Sequence, residues 1–358
     1  MRRGVLPEDR KEDKKHPQAG ESKEKTEEEA VDAQQGPTEI GGEPRTAAAD
    51  HRGFFNSWCK IRYYLREPLA EWLGTTLSIS LGLGASLSWV LSQGQAGSFP
   101  VQSVAWGLGF MIGIYVTGGV SGGHLNPAIT ISLSVWRGFP AKRCVIYVLA
   151  QIIGAITAGG ITYAIYHDAI VSTAEQNGVP QNQSPAAQAL ITMPKNFVHP
   201  ATGFFNEFLG SAFLMGTILA LADDANAPPG AGMQAYIIGI LILVLCLSFG
   251  YNTGGCFNGA RDFGPRFVAV MAGWGGHLFR ENHAWWIWGP WVADIFGALF
   301  GAFMYDFIIF TGGESPINYP PRRRKRGLLV KEVNLRRILR LGEERIGDLE
   351  NAVEDTNK

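Results

Sequence analysis

Two asparagines stand at matching places in two similar loop sequences. Asn126 lies in SGGHLNPAIT (121–130), and Asn258 lies in TGGCFNGARD (253–262). Asparagine is a preferred helix N-cap, and its side-chain amide can donate hydrogen bonds to the oxygen of a neutral molecule. The apolar segment after each asparagine is long enough to cross only about half of a bilayer. The pattern therefore predicts two half-helices, each with a hydrogen-bond donor at its N-terminus.

Two carboxylates also stand in apolar surroundings. Glu71 and Glu207 each lie near the start of a hydrophobic segment, where an ionisable side chain is costly and is a functional candidate by default. The alternative is a carboxylate that extends from a helix end towards water. Their positions in the sequence leave both interpretations open.

The elements that must position these groups are six apolar stretches, each of about 20 residues, the length that crosses a hydrocarbon core as a helix. Charge is concentrated outside them, at the two ends of the chain. A soluble protein with six buried helices is the alternative, but such proteins rarely carry six such segments in succession with so few charges. The predicted spans are 69–91, 101–120, 144–166, 204–222, 235–249 and 285–310.

Lysine and arginine indicate which connections face the cytoplasm. The loop 92–100 has none, and the loop 167–200 has only Lys195. We therefore expect an integral membrane protein with both termini in the cytoplasm. The basic residues on the inner side are Lys60, Arg62, Arg66, Arg137, Lys142, Arg143 and the run 322–326.

The chain contains an internal repeat. AEWLGT (70–75) opens the first span and NEFLGS (206–211) opens the fourth, and both loops contain Gly-Gly-x-x-Asn-x-Ala. Because each half holds three spans, an odd number, the halves must cross the membrane in opposite directions. The half-helices then meet N-terminus to N-terminus, where irregular backbone is tolerated if it lines a polar cavity, and their partial positive charges disfavour cations. This arrangement predicts a pore for neutral solutes.

Pairs of small residues support close helix packing. Gly109 and Gly113 are four positions apart, as are Gly297 and Gly301. This spacing lets two helix backbones approach within a membrane.

These motifs resemble those of the aquaporin superfamily. The resemblance rests on Glu71, SGGHLNPA (121–128), Glu207 and ARDFGPR (260–266), and it covers about residues 69–310. Asp262 after Arg261 is similar to the glycerol-conducting branch rather than to strict water channels, and the long polar tails are similar to those of fungal members. The implied fold is an all-α membrane protein with six transmembrane helices and two re-entrant half-helices in an inverted repeat.

The resemblance also implies a function. It is passive conduction of small neutral solutes, namely glycerol and water and also other polyols or urea, by a homotetramer in the plasma membrane. No enzyme activity, cofactor, metal or nucleic-acid partner is expected, and membrane lipid is the expected surrounding partner.

The resemblance assigns a role to each candidate residue. Arg261 would donate to solute hydroxyls and repel cations, and Trp106 would accept the carbon backbone of the solute. Glu71 and Glu207 would brace the two loops, and His124 would line the inner vestibule. The implied pore loops are Asn126, Pro127, Ala128 and Asn258, Gly259, Ala260, the implied filter is Trp106, Cys246, Gly255 and Arg261, and Asp262 is a supporting residue.

Three of these residues have plain structural alternatives. Arg261 could be a surface arginine paired with Asp262, Trp106 an interfacial tryptophan, and His124 a core histidine with satisfied hydrogen bonds.

The sequence departs from the family pattern at two positions. Gly255 stands where a second aromatic is common, which predicts a wider opening unless Phe257 or Tyr251 fills it. Gly259 stands where proline is expected, and glycine loosens the turn at the start of the half-helix. We expect a working pore with altered selectivity.

Two other functions remain open. A coupled secondary transporter also uses inverted repeats, and Asp294 and Asp306 in the sixth span are its candidate ionisable groups. The degenerate second motif leaves room for a non-conducting adhesion or sensing protein. An enzyme is disfavoured because the sequence contains no recognisable nucleophile–base pair, phosphate-binding loop or metal cluster.

Three regions follow from this organisation. Residues 1–66 have few apolar residues and are expected to form a disordered cytoplasmic tail. Residues 67–311 form the channel domain, with repeats at about 67–166 and 200–311. Residues 312–358 form a cytoplasmic tail whose basic amphipathic segment, 330–346, suits anionic lipid or a regulatory partner.

Overall fold

The computed structural model describes residues 54–339 and 348–353, and all the regular elements within these ranges are helical. Six helical spans of the described chain are long and apolar enough to cross a membrane. A π-helical turn, Trp288–Ala293, joins the helix Glu281–Ile287 to the helix Asp294–Ile308, so that Glu281–Ile308 forms the sixth span. The helices are α1 (Ser57–Leu91), α2 (Phe99–Ser121), α3 (Pro127–Trp136), α4 (Ala141–Gln176), α5 (Ala186–Leu190), α6 (Pro200–Leu221), α7 (Ala231–Thr253), α8 (Gly259–Ala269), α9 (Glu281–Ile287), α10 (Asp294–Ile308) and α11 (Pro321–Leu339).

Helix α1 begins earlier than the first predicted span. Its N-cap is Asn56, whose side chain accepts a hydrogen bond from the backbone N–H of Cys59 at 2.8 Å. The boundary placed at residue 66 therefore falls inside a helix, because α1 starts at its Asn56 cap, before its apolar part begins. Residues 1–53 and 340–347, which hold most of the N-terminal tail and part of the basic segment, lie outside the described residues.

The two half-helices are capped as their sequences predict. Oδ1 of Asn126 accepts from the N–H of Ala128 at 2.9 Å, and α3 follows for 10 residues. Oδ1 of Asn258 accepts from the N–H of Ala260 at 3.1 Å, and α8 follows for 11 residues. Each helix is too short to cross a bilayer, so both are re-entrant elements within the six-span bundle.

The glycine pairs bring helix backbones into contact. A Cβ at Gly109 would lie 3.0 Å from the carbonyl oxygen of Ser78, which places α2 directly against α1. A Cβ at Gly297 or Gly301 would collide with a carbonyl group of α6. The predicted close packing is confirmed at these positions.

The outer surface of the bundle is apolar. Ile165 and Val145 on α4 are 72% and 61% exposed, and Phe307 on α10 is 65% exposed. Glu71, Glu207 and other polar side chains lie inside instead. This distribution is typical of a bundle surrounded by lipid.

Candidate functional site

The two loops meet at their asparagines. Nδ2 of Asn126 donates to the carbonyl oxygen of Phe257 at 2.7 Å, and Nδ2 of Asn258 donates to that of Leu125 at 2.9 Å. Each carbonyl belongs to the residue just before the opposite asparagine. The N-termini of α3 and α8 therefore face each other inside the bundle, as the inverted repeat predicts.

Leu125 and Phe257 adopt an unusual backbone conformation. Both have a φ of 50°, in the left-handed region that residues other than glycine rarely occupy. Their N–H groups donate to Glu71 at 2.8 Å and to Glu207 at 2.9 Å. Each residue thus connects a glutamate of its own half to the asparagine of the other half. Strain of this kind persists where surrounding contacts enforce it, as they do here.

Glu71 is fully buried and is bound to the first loop. Its carboxylate accepts from the N–H groups of His124 and Leu125 and from the hydroxyl of Ser121. Nε2 of Gln151, on α4, also donates to it at 2.8 Å. This geometry excludes a carboxylate that reaches towards water. Gln151 is a site residue that the sequence analysis missed, although a lone amide in an apolar span was a usable signal.

Glu207 has the matching place in the second half. It is fully buried and accepts from the N–H groups of Cys256, at 3.0 Å, and Phe257, and from the hydroxyl of Thr253. The carboxyl group of Asp294, at the start of α10, is a close electrostatic neighbour of Glu207, and its Oδ1 accepts from the hydroxyl of Ser211 at 3.1 Å. Asp294 therefore occupies the place that Gln151 has beside Glu71. From the sequence, Asp294 was a candidate only for a coupled transporter.

Arg261 and Trp106, the two expected filter residues with specific chemistry, are in contact. The guanidinium carbon of Arg261 lies 4.2 Å from the ring centroid of Trp106, and the residues are 6% and 7% exposed. The indole Nε1 of Trp106 donates to Ser86 at 3.1 Å, and Arg261 donates to the carbonyl oxygen of Leu190 at 3.4 Å. Neither residue has the position of its structural alternative, a surface arginine or an interfacial tryptophan.

Cys246 and Gly255 complete the implied filter set. Cys246 is buried in the same hydrophobic cluster as Trp106. Gly255 has a φ of 58°, and a Cβ there would lie 3.1 Å from the backbone of Gly250, so a larger side chain would be strained.

Of the two aromatic residues considered as compensation for Gly255, Phe257 borders it, since a Cβ added at Gly255 would lie 3.2 Å from Cε2 of the Phe257 ring. Phe257 packs its ring against Gly210, where an added Cβ would collide with it. Tyr251 is 60% exposed and lies beside Lys195 and Phe197. The expectation is therefore wrong for Tyr251, and for Phe257 it stays a prediction that the position of its ring beside Gly255 supports.

Asp262 pairs with Arg266, not with Arg261. Both side chains of this pair are fully buried, with Nε to Oδ2 at 2.8 Å. Asp262 also accepts from the N–H and hydroxyl of Thr192, and Arg266 donates to the carbonyl oxygens of Thr192 and Leu278. The ion pair on α8 therefore holds the segment that follows α5 against α8. Arg266 was missed, although the i,i+4 spacing within ARDFGPR indicated it.

His124 lies next to the first half-helix with several partners. Its Nδ1 is 3.2 Å from the hydroxyl of Thr130, and its ring contacts Phe139 and Tyr147. It is half-buried, which fits both a vestibule residue and a packed histidine.

Asp306 has a clear structural partner. Arg137 at the end of α3 binds its two carboxylate oxygens at 2.8 and 2.7 Å, and also lies 4.4 Å from the ring of Phe310. Asp306 is thus held in a bidentate ion pair. In the described part of the chain, no group of three or more His, Cys, Asp and Glu side chains is arranged to hold a metal ion.

The whole arrangement suits a hydrogen-bonding neutral molecule. An amide NH₂ carries two hydrogens, so Asn126 and Asn258 each retain one after bonding to a carbonyl. The partial positive charge of two helix N-termini and the nearby guanidinium of Arg261 oppose a cation. The indole face of Trp106 adds an apolar surface next to these donors.

Comparison with known proteins gives consistent results. Residues 58–305 match the family described as major intrinsic protein. The chain is 47% identical over 273 residues to aquaglycerol porin AQY3 of Saccharomyces cerevisiae. The aligned region covers 76% of this chain and 42% of that protein. It is 49% identical over 273 residues to aquaglyceroporin-4 of Botryotinia fuckeliana, with 75% and 37% covered. The chain thus spans less than half the length of these two curated relatives.

A solved structure is also similar. The X-ray structure of the aquaglyceroporin from Plasmodium falciparum matches with a TM-score of 0.62 and 30% identity, and covers 69% of this chain and 97% of that one.

Proposed function

The chain belongs to the major intrinsic protein family, and we propose that it is a passive channel for glycerol and water. The observation that carries this proposal is the meeting of Asn126 and Asn258, each capping a half-helix and bonded to the opposite loop. A solute oxygen that passes this point can replace lost water contacts with amide donors. No catalytic step is part of this role.

Glycerol is the favoured solute for two reasons. The relatives named above carry glycerol in their names. The contact between Arg261 and Trp106 also places a hydroxyl-binding group beside an apolar ring, which suits a molecule with hydroxyls on one side and carbon on the other.

The surroundings of the channel follow from the same proposal. The apolar outer faces suit lipid, and the basic connections favour cytoplasmic termini. We assign the protein to the plasma membrane as a homotetramer by analogy with the family, with one pore in each subunit.

One observation favours a second candidate, a proton-coupled transporter. Asp294 and Glu207 are adjacent buried carboxyls inside the bundle, a feature that coupled carriers use. Asp306, the other candidate, is less suited because Arg137 holds it in an ion pair.

The test is solute entry into liposomes that contain the purified protein, measured by stopped-flow light scattering. We expect glycerol entry faster than in protein-free liposomes, proportional to the gradient and unchanged by a protonophore. Asn258→Leu, reconstituted to the same density, is the matched control and should lose most of this flux. Entry no faster than in protein-free liposomes would refute conduction, and loss of entry with the protonophore would favour the coupled transporter.

A further inference from the structure

The two halves of the bundle share one register, which allows them to be compared position by position. A Cβ at Gly154 would lie 2.6 Å from the carbonyl oxygen of Trp72, and a Cβ at Gly297 would collide with that of Phe208. Gln151 contacts Glu71, and Asp294 contacts Glu207. In both comparisons the residue of the sixth span lies 143 positions after its counterpart in α4.

This register identifies an exchange of side-chain size. At the first position of the half-helix, the first half has Pro127 and the second half has Gly259. Carried back by three residues into the π-helical turn, the same sequence offset of 143 pairs Val148 of the first half with Trp291 of the second half. In the first half the larger half-helix residue, Pro127, goes with the smaller span residue, Val148. In the second half the smaller half-helix residue, Gly259, goes with the larger span residue, Trp291.

Gly259 and Trp291 are in direct contact. A Cβ added at Gly259 would lie 2.8 and 2.9 Å from Cδ2 and Cε2 of the Trp291 indole, and 3.0 Å from the carbonyl oxygen of Pro290. Both atoms belong to the bond that the two rings of the indole share. They cannot move aside independently, as the end of a flexible side chain could. A proline ring would extend further than Cβ and would collide with the indole.

We infer that Trp291 takes the place of the missing proline ring and positions the N-terminus of α8, and with it the amide of Asn258. The replacement of proline by Gly259 is then matched by the larger side chain of Trp291, and the turn at the start of α8 is not loosened. The capping bonds of Asn258 to Ala260 and Arg261 are intact, which agrees with a start of α8 that is well packed.

The indole nitrogen of Trp291 indicates that this residue acts through packing and not through a hydrogen bond. Nε1 is buried and has no hydrogen-bond partner among the described residues. A buried donor without a partner has a free-energy cost, so a tryptophan at this position must be favoured by its packing. Gly259 is the neighbour whose missing side chain makes room for it.

The test is a double-mutant cycle with Gly259→Pro, Trp291→Val and the two together, a combination that recreates the pair of the first half. Overpacking should lower the apparent unfolding temperature of Gly259→Pro by about 4 °C or more. Trp291→Val should also lower it, because the ring leaves a cavity. The double variant should have a higher unfolding temperature than Gly259→Pro alone. Its loss relative to the wild type should be much smaller than the sum of the two single losses.

Solute flux gives the second readout. We expect the ratio of glycerol to water flux to change in each single variant and to return towards the wild-type ratio in the double variant. Only this readout rests on the proposed channel function, because the unfolding measurement applies whether or not the protein conducts.

The matched control uses another tryptophan of the same turn. Trp288 packs edge-on against Trp285, and its indole donates to the carbonyl of Asn282. Trp288→Val should therefore not rescue Gly259→Pro. The inference is overturned if Gly259→Pro matches the wild type, if the two losses simply add, or if Trp288→Val rescues as well as Trp291→Val.

Discussion

The guanidinium carbon of Arg261 lies over the indole of Trp106, 4.2 Å from the ring centroid, although the two residues are 155 positions apart in the chain. This contact joins α8 to α2 through the two residues that were expected to form the selectivity filter. It holds the arginine in one orientation while most of its five N–H donors stay available.

Replacing Arg261 by lysine should reduce selectivity between solutes. Lysine keeps the charge but loses the planar group that stacks on Trp106, so discrimination among polyols of different size should weaken while cations stay excluded. Stopped-flow entry of glycerol and of larger polyols measures the first effect, and bilayer conductance measures the second. Arg143→Lys, at a half-exposed pair with Glu67, is the control. An unchanged polyol profile in Arg261→Lys would remove Arg261 from the filter.

Replacing Arg266 by alanine should destabilise the protein rather than alter its selectivity. Removing one member of a fully buried ion pair leaves Asp262 uncompensated, at a cost of about 3–5 kcal/mol. We expect a strong loss of folded protein in detergent, measured by size-exclusion chromatography. Arg280→Ala, at an exposed site, should have little effect. A stable Arg266→Ala protein with normal yield would contradict a structural role for the pair.

Replacing Glu71 by alanine should greatly reduce flux. The variant leaves the N–H groups of His124 and Leu125 without their acceptor, and each lost bond to a charged group costs about 1.5–3 kcal/mol. Because Leu125 also accepts from Asn258, the asparagine of the other half loses its alignment. Glycerol flux per reconstituted protein checks this, with the exposed Asp168→Ala as control. Normal flux in Glu71→Ala would mean that the loop holds its shape unaided.

Replacing Asp294 by asparagine should be tolerated, whereas leucine should not. An amide at this position can donate to Glu207 as Gln151 donates to Glu71, and it removes one of two adjacent carboxyls. We expect flux close to wild type in Asp294→Asn and a lower unfolding temperature in Asp294→Leu. If Asp294→Asn instead abolished transport that depends on a proton gradient, the coupled transporter would replace the channel.

Replacing Gly301 by alanine should prevent α10 from packing against α6. The added Cβ would collide with the carbonyl group of Ala212, a backbone atom that cannot move independently. The yield of folded protein should fall sharply. Gly160→Ala, on α4 with no atom within 4 Å of the added Cβ, should fold normally. Equal yields for the two variants would show that the helices can separate at this point without penalty.

Much of the architecture was predictable because it depends on local properties of the chain. Span length and apolar composition predict the six crossing helices, and Asn126 and Asn258 each cap a helix with their own side chain. The repeat of Glu71 and Asn126 in Glu207 and Asn258 predicted the inverted halves, since three spans in each half reverse the direction.

The contacts around these motifs could not be predicted in the same way. Gln151 and Arg266 were missed, and Tyr251 was considered as a substitute filter residue although it is exposed beside Lys195. Each depends on which side chains from distant segments face one another, and a single sequence contains no measure of that.

Sequence alone therefore determined that this protein is a membrane-embedded inverted repeat with two asparagine-capped half-helices, because caps, spans and spacing act over short stretches of chain. Only the tertiary structure decided what lies beside them. The fit of Trp291 against Gly259, and of Asp262 against Arg266 and Thr192, depends on helix packing at distances of a few ångströms. That packing arises when the whole bundle closes, so no segment encodes it by itself.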